Sequence, residues 1–136
     1  MENYRKYNGE IRKGDIFIVD LPMSEDNVQG GTRPCIVVQN NKGNGVSPNL
    51  IVLPLTSRQK KRLPTHVLIN AGCGGLERDS TALGENPVTI SKSKLGSYIG
   101  RADDGIVEQI NKAIQISFGL ITQNLNSTLD KAVSVC

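Results

Sequence analysis

The side chains that could do chemistry are few and set apart. Arg33 stands in Gln29-Gly30-Gly31-Thr32-Arg33-Pro34, Thr56 ends the apolar run from Leu50, and Arg58, Lys60, Lys61 and Arg62 follow it. Two glycines free the backbone behind Arg33, and a guanidinium that opens the apolar run Cys35-Ile36-Val37-Val38 is well placed to meet an anion. Taken alone, the arginine reads as a solvated loop residue and the basic run as a solvated loop. Taken together, an arginine, a strand-terminal hydroxyl, scattered carboxylates and local positive charge suit stabilisation of a phosphoryl transition state without a metal.

Other chemistries are poorly supplied. One histidine and three widely spaced cysteines, Cys35, Cys73 and Cys136, form neither a metal constellation nor a disulfide framework, so no cofactor is expected. Cys35 reads as a small core residue. His66 opens an apolar run away from any polar cluster and reads as structural. Neither a phosphate-binding Gly-rich loop before Lys-Ser or Lys-Thr nor GxGxxG occurs, and a Ser-His-Asp triad has no specific support. No tryptophan, two phenylalanines and three tyrosines leave few platforms for stacked bases. The net charge of +3 permits an anionic partner without requiring one.

These residues need a frame. At 136 residues the chain fits one domain. Residues 1–10 read as a polar extension, 11–121 as the domain and 122–136 as a polar tail. Apolar, β-branched runs predict strands over Asp15 to Leu21, Arg33 to Gln39, Leu50 to Thr56, His66 to Ile69, Val88 to Ser91 and Leu95 to Ile99. Between them, Met23 to Thr32 is a polar loop, Asn40 to Asn49 and Gly72 to Gly75 are turns, and Glu77 to Ser80 is a charged connection.

The period then changes. Ile106, Ile110, Ala113, Ile114, Ser117, Leu120 and Ile121 recur at steps of three and four, the stripe of an amphipathic helix capped by Asp103 or Asp104. Short strands before one terminal helix argue a small barrel or strongly twisted antiparallel sheet with helical cover. The first 20 residues hold no apolar signal region, and no stretch approaches the ~18 apolar residues of a membrane span. The expected address is cytoplasmic.

With these segments in hand, the sequence resembles the MazF/PemK family of toxin endoribonucleases. The resemblance rests on Lys13-Gly14-Asp15-Ile16, Gln29 to Pro34, Pro54-Leu55-Thr56-Ser57, Leu63-Pro64-Thr65-His66-Val67, Glu77-Arg78-Asp79-Ser80, Thr89-Ile90 and the terminal helix, in the family's order and spacing over about residues 11–121. It implies a mainly β fold with α: an SH3-like (CcdB/PemK-type) barrel with a C-terminal helix. It also implies a homodimer and metal-independent cleavage of single-stranded RNA, in which the substrate 2′-OH attacks to leave 2′,3′-cyclic phosphate and 5′-OH ends.

By the same resemblance Arg33 neutralises the scissile phosphate, Thr56 holds it, and Glu85 aligns with a carboxylate used as base in some members. RNA contacts are expected at Asn27, Gln29 and Gly31 in the first loop, at Ser57, Arg58 and Lys60 in the second, and at Asn86. Some relatives carry a histidine where this chain has Asn27, which leaves the base as Glu85, an arginine or solvent. An antitoxin with a disordered acidic segment is implied as partner, its carboxylates standing in for phosphates. The competing class is a non-catalytic SH3-like barrel that binds a protein such as DNA gyrase; such a binder has no chemical need of the Arg33 and Thr56 pair.

Overall fold

The computed structural model describes residues 9–22, 30–58 and 62–122. Seven strands, β1 (Asp15–Leu21), β2 (Gly31–Val37), β3 (Asn49–Thr56), β4 (His66–Ile69), β5 (Ser80–Leu83), β6 (Val88–Ser91) and β7 (Leu95–Arg101), are joined by two helices, α1 (Asn41–Val46) and α2 (Asp104–Ser117). Every strand pair is antiparallel. The order is β4-β5-β3-β2-β1-β7, with β6 also on β3.

β3 is the hub. Its first half pairs with β6 through Asn49 to Val52, and its last two residues, Leu55 and Thr56, pair with β5. The change of partner within one strand bends the sheet and brings the end of β3 between β2 and β5.

Both faces of the sheet are buried, as the continuous apolar strands require. Ile16, Ile36, Leu53, Leu55 and Ile69 meet Ile106, Ile110 and Ala113 of α2 on one face. Phe17, Val19, Cys35, Val37, Leu50, Val52 and Ile90 fill the other. Alternation along β1, β2 and β3 sends successive residues to opposite cores, so register is fixed from both sides. α2 starts where Asp103 accepts the Ile106 N–H at 2.9 Å.

Besides shifts at strand ends, where β2 covers Gly31–Val37 rather than Arg33 to Gln39 and β7 runs on to Arg101, the structure differs from the sequence reading in four places. Asn40 to Asn49 holds helix α1 rather than a turn alone: the Asn40 side chain accepts from Gly43 N–H at 2.8 Å, and buried Asn44 exchanges bonds with the Gln39 side chain and carbonyl. An asparagine side chain thus caps the start of a helix whose composition favours turns, and the Ser47 N–H closes its end on the Gly43 carbonyl. Ser80 continues into a further strand, β5, stabilised by β3 and β4 on its two sides.

The third difference is at the C-terminus, where α2 stops at Ser117 and Gly119 takes φ +74°. Leu120 and Ile121 therefore leave the stripe and are exposed. The last concerns Gly72 to Gly75, whose turn packs backbone to backbone on β7. A Cβ on Gly75 would run into the Ile99 carbonyl, and one on Gly100 into the Gly74 carbonyl. That contact fixes the chain entering Glu77 to Ser80.

Candidate active site and the cavity beside it

Strand ends build the first cavity, of about 740 Å³. Arg33 and Thr56 line it with Ser57 and Arg58, and Glu77 and Arg78 form the facing wall. Arg33 lies in β2 opposite Val19, half-buried, and its Nε donates to the Gly30 carbonyl at 3.0 Å. The loop entering β2 thus sets the plane of the guanidinium.

Thr56 is 2% exposed, and its Oγ1 accepts from the Arg58 backbone N–H at 3.2 Å. Because that oxygen is engaged as an acceptor, the hydroxyl proton is directed elsewhere and serves as a donor. Among the described residues, three arginines, Arg33, Arg58 and Arg78, line this cavity with one carboxylate, that of Glu77, a balance that favours an anion. Cys35, two residues from Arg33, is no nucleophile: burial pushes its thiol up to about 12 against the pull of the Arg33 charge.

A second cavity, of about 420 Å³, opens beside the first and shares Ser57 and Arg58 with it. Arg62, His66, Asp79 and Thr81 complete its polar lining. Leu63 N–H approaches His66 Nδ1 at 3.4 Å, and His66 Nε2 lies 3.0 Å from Glu85 Oε2. The other Glu85 oxygen accepts from Thr65 Oγ1 at 2.7 Å. Partial burial raises the Glu85 carboxyl, but the bonds from Thr65 and His66, together with the His66 charge, hold it below its ordinary value.

The expected site residues therefore divide. Arg33, Thr56, Ser57 and Arg58 come together on one cavity. Gly31 stands at the start of β2 with φ +79°, two residues before Arg33. Glu85 does not line the Arg33 cavity; the turn after β5 carries it to the Thr65 and His66 cluster, where both its oxygens are engaged. Asn86 closes that turn through its N–H to the Leu83 carbonyl and lines neither cavity. Asn27, Gln29 and Lys60 lie outside the described residues.

Two sequence readings need amendment. His66 does open β4, yet it belongs to a polar cluster. Glu77 and Arg78, read as part of a connection, form a cavity wall because the glycine turn before them is docked on β7. Only their charge in a loop-forming stretch signalled this. No helix among the described residues is long and apolar enough to cross a membrane.

Known proteins share this arrangement of elements. The family described as PemK-like, MazF-like toxins of type II toxin–antitoxin systems matches residues 12–118. Endoribonuclease EndoA of Bacillus subtilis (strain 168) is 43% identical over 112 residues, which span 82% of this chain and 97% of that protein. Endoribonuclease MazF of Staphylococcus saprophyticus is 38% identical over 113 residues, spanning 82% of this chain and 94% of that protein. A mycobacterial endoribonuclease solved in complex with its cognate antitoxin superimposes with a TM-score of 0.70 at 23% identity, covering 83% of this chain and 99% of that one. MazF from Deinococcus radiodurans does so with a TM-score of 0.69 at 21% identity, over 80% of this chain and 96% of that one. At these identities the two structures speak for the fold.

Proposed function

Because the chain belongs to the PemK-like, MazF-like toxins of type II toxin–antitoxin systems, we propose that it is an endoribonuclease toxin that cuts single-stranded RNA at the cavity of Arg33 and Thr56. The observation that carries this reading is the convergence of those two residues, from separate strands, on one cavity rich in guanidinium groups. The scissile phosphate sits against Arg33, whose charge is held in place by the Gly30 carbonyl. Thr56 donates its hydroxyl proton to a non-bridging oxygen, the role left to it by the bond it accepts from Arg58 N–H.

The substrate's own 2′-oxygen attacks phosphorus, the bond to the 5′-oxygen breaks, and the products are a 2′,3′-cyclic phosphate and a 5′-hydroxyl. Charge accumulates on the phosphoryl oxygens in that transition state, where preorganised donors act most strongly. Water in the open cleft exchanges protons with the 2′-hydroxyl and the leaving 5′-oxygen. Glu85 is assigned as the positioning partner of His66 rather than as the base, since it bonds Thr65 and His66 and does not line the Arg33 cavity. No step calls for a metal ion.

The same groups suit an antitoxin. An acidic segment laid along Arg33, Arg58 and Arg78 would place carboxylates where phosphates bind and so shut the cavity. A homodimer of this chain in the cytoplasm completes the reading. The test is incubation of the purified protein with a long RNA under EDTA, followed by mapping of new ends. Cuts at a short recurring sequence with 5′-hydroxyl ends are expected; an intact RNA in the presence of folded protein overturns the proposal and favours a binding role.

A further inference from the structure

Scissile-phosphate contacts position a nucleic acid but carry no sequence information. Base choice is made by groups beside that contact, and the second cavity adjoins the first at Ser57 and Arg58. We propose that this second cavity takes a nucleotide adjacent to the cut, with Asp79 selecting a base that carries an exocyclic amino group and rejecting uracil. The proposal rests on the endoribonuclease reading above and deepens it.

The lining is suited to a nucleotide from both ends. Arg58 stands at the edge shared with the first cavity, Arg62 lines the second alone, and the two supply the charge for a neighbouring phosphate. His66 has both nitrogens engaged, by Leu63 N–H and by Glu85, and its side chain is only 5% exposed, so it brings no free hydrogen-bonding group to the cavity. What remains for reading an edge is Asp79 and the Thr81 hydroxyl.

Asp79 is a held group. Its Oδ1 accepts from Ala71 N–H at 2.7 Å, across the loop that the glycine turn pins to β7. An ionised carboxylate only accepts hydrogen bonds. Adenine, cytosine and guanine each present an amino donor, whereas the single N–H of uracil is flanked by two carbonyl oxygens that a carboxylate repels. Thr81 can both donate and accept, so it tolerates any of the three amino-bearing bases and leaves the discrimination to Asp79.

The experiment uses short RNAs built on a mapped cut site and varied to all four bases at each flanking position. At one of the two positions the wild-type protein is expected to cut substrates with an amino-bearing base about tenfold better than uracil in kcat/KM, the order of discrimination that one base contact supplies. Asp79→Asn keeps an oxygen for Ala71 N–H but adds a donor that suits uracil, so the preference should collapse or invert. Asp79→Ala should flatten it, with melting curves showing that both variants are folded.

An unchanged preference in both folded variants overturns the proposal while the endoribonuclease reading stands. So does a wild-type protein indifferent to uracil at both positions. Failure of the wild type to cut any RNA instead defeats the endoribonuclease reading itself, and the inference with it.

Discussion

The two cavities share Ser57 and Arg58 but are built from different kinds of structure. The first takes Arg33 from β2 and Thr56 from the end of β3, two strands paired in register from Cys35 with Pro54 to Val37 with Val52 and buried on both faces. The second takes Arg62 and Asp79 from connections, His66 and Leu68 from the short strand β4 and Thr81 from the short strand β5. Its internal order comes from side chains holding one another: Thr65 and His66 on Glu85, and Asp79 on Ala71 N–H. Reaction chemistry is sensitive to misplacement of less than an ångström and belongs on strands, whereas recognition tolerates rebuilding and belongs on loops. A family could keep the first cavity and change its sequence preference through the second.

That division can be broken by substitution. Arg33→Ala carries the largest expected effect, a loss of about 10²–10³ in single-turnover rate, the range seen when one transition-state donor is removed. Thr56→Val removes a single hydroxyl of similar shape and is expected to lower the same rate by about 10–100-fold, corresponding to a hydrogen bond to a charged group. Arg58→Ala sharpens the contrast, since Arg58 sits between the cavities. It should raise KM several-fold, lower the salt slope of RNA binding by about one, and leave the saturated rate within about threefold. A collapse of the saturated rate in that variant would move Arg58 into the reaction centre.

The smallest effect is expected at Glu85, whose carboxyl is held below its ordinary value by Thr65 and His66 against partial burial. A carboxylate depressed on folding contributes stability above its unfolded pKa and loses it as pH falls through the folded value. Glu85→Gln should therefore melt slightly below wild type at neutral pH, by less than about 1 kcal/mol for a carboxylate this exposed, with the gap closing under acid. A gap that widens toward low pH contradicts the assigned partners. Melting curves between neutrality and the acid limb of the carboxylate range supply the check.

Much of this frame was legible in the sequence. β1, β4 and β6 follow apolar runs with clear polar borders, and their limits coincide with the expected ones. β5 was not legible, because Ser80-Thr81-Ala82-Leu83 is short and owes its strand form to partners on both sides. α1 hides in a turn-like composition, since it is held by the Asn40 cap and by Asn44 bonds to Gln39 rather than by propensity. The end of α2 was overrun because the apolar stripe continues through Leu120 and Ile121 after Gly119 has turned the chain away.

The site divides along the same line. Arg33 and Thr56 could be paired from motif order, as each closes or opens an apolar strand. The wall of Glu77 and Arg78 could not, because it depends on glycine backbone meeting β7 more than twenty residues later in the chain. Glu85 was expected beside Arg33 and Thr56 through the family resemblance alone, but the turn through Gly84 and Asn86 delivers it to His66.

The central claim is that bond breaking resides with Arg33 and Thr56 and not with the shared or neighbouring residues. Single-turnover cleavage of one mapped RNA at saturating protein, run in parallel for wild type, Arg33→Ala and Arg58→Ala, measures it most directly. The expected result is a rate lost by about 10²–10³ in Arg33→Ala with RNA binding retained, beside a nearly unchanged rate in Arg58→Ala. Undiminished cutting by folded Arg33→Ala contradicts the account.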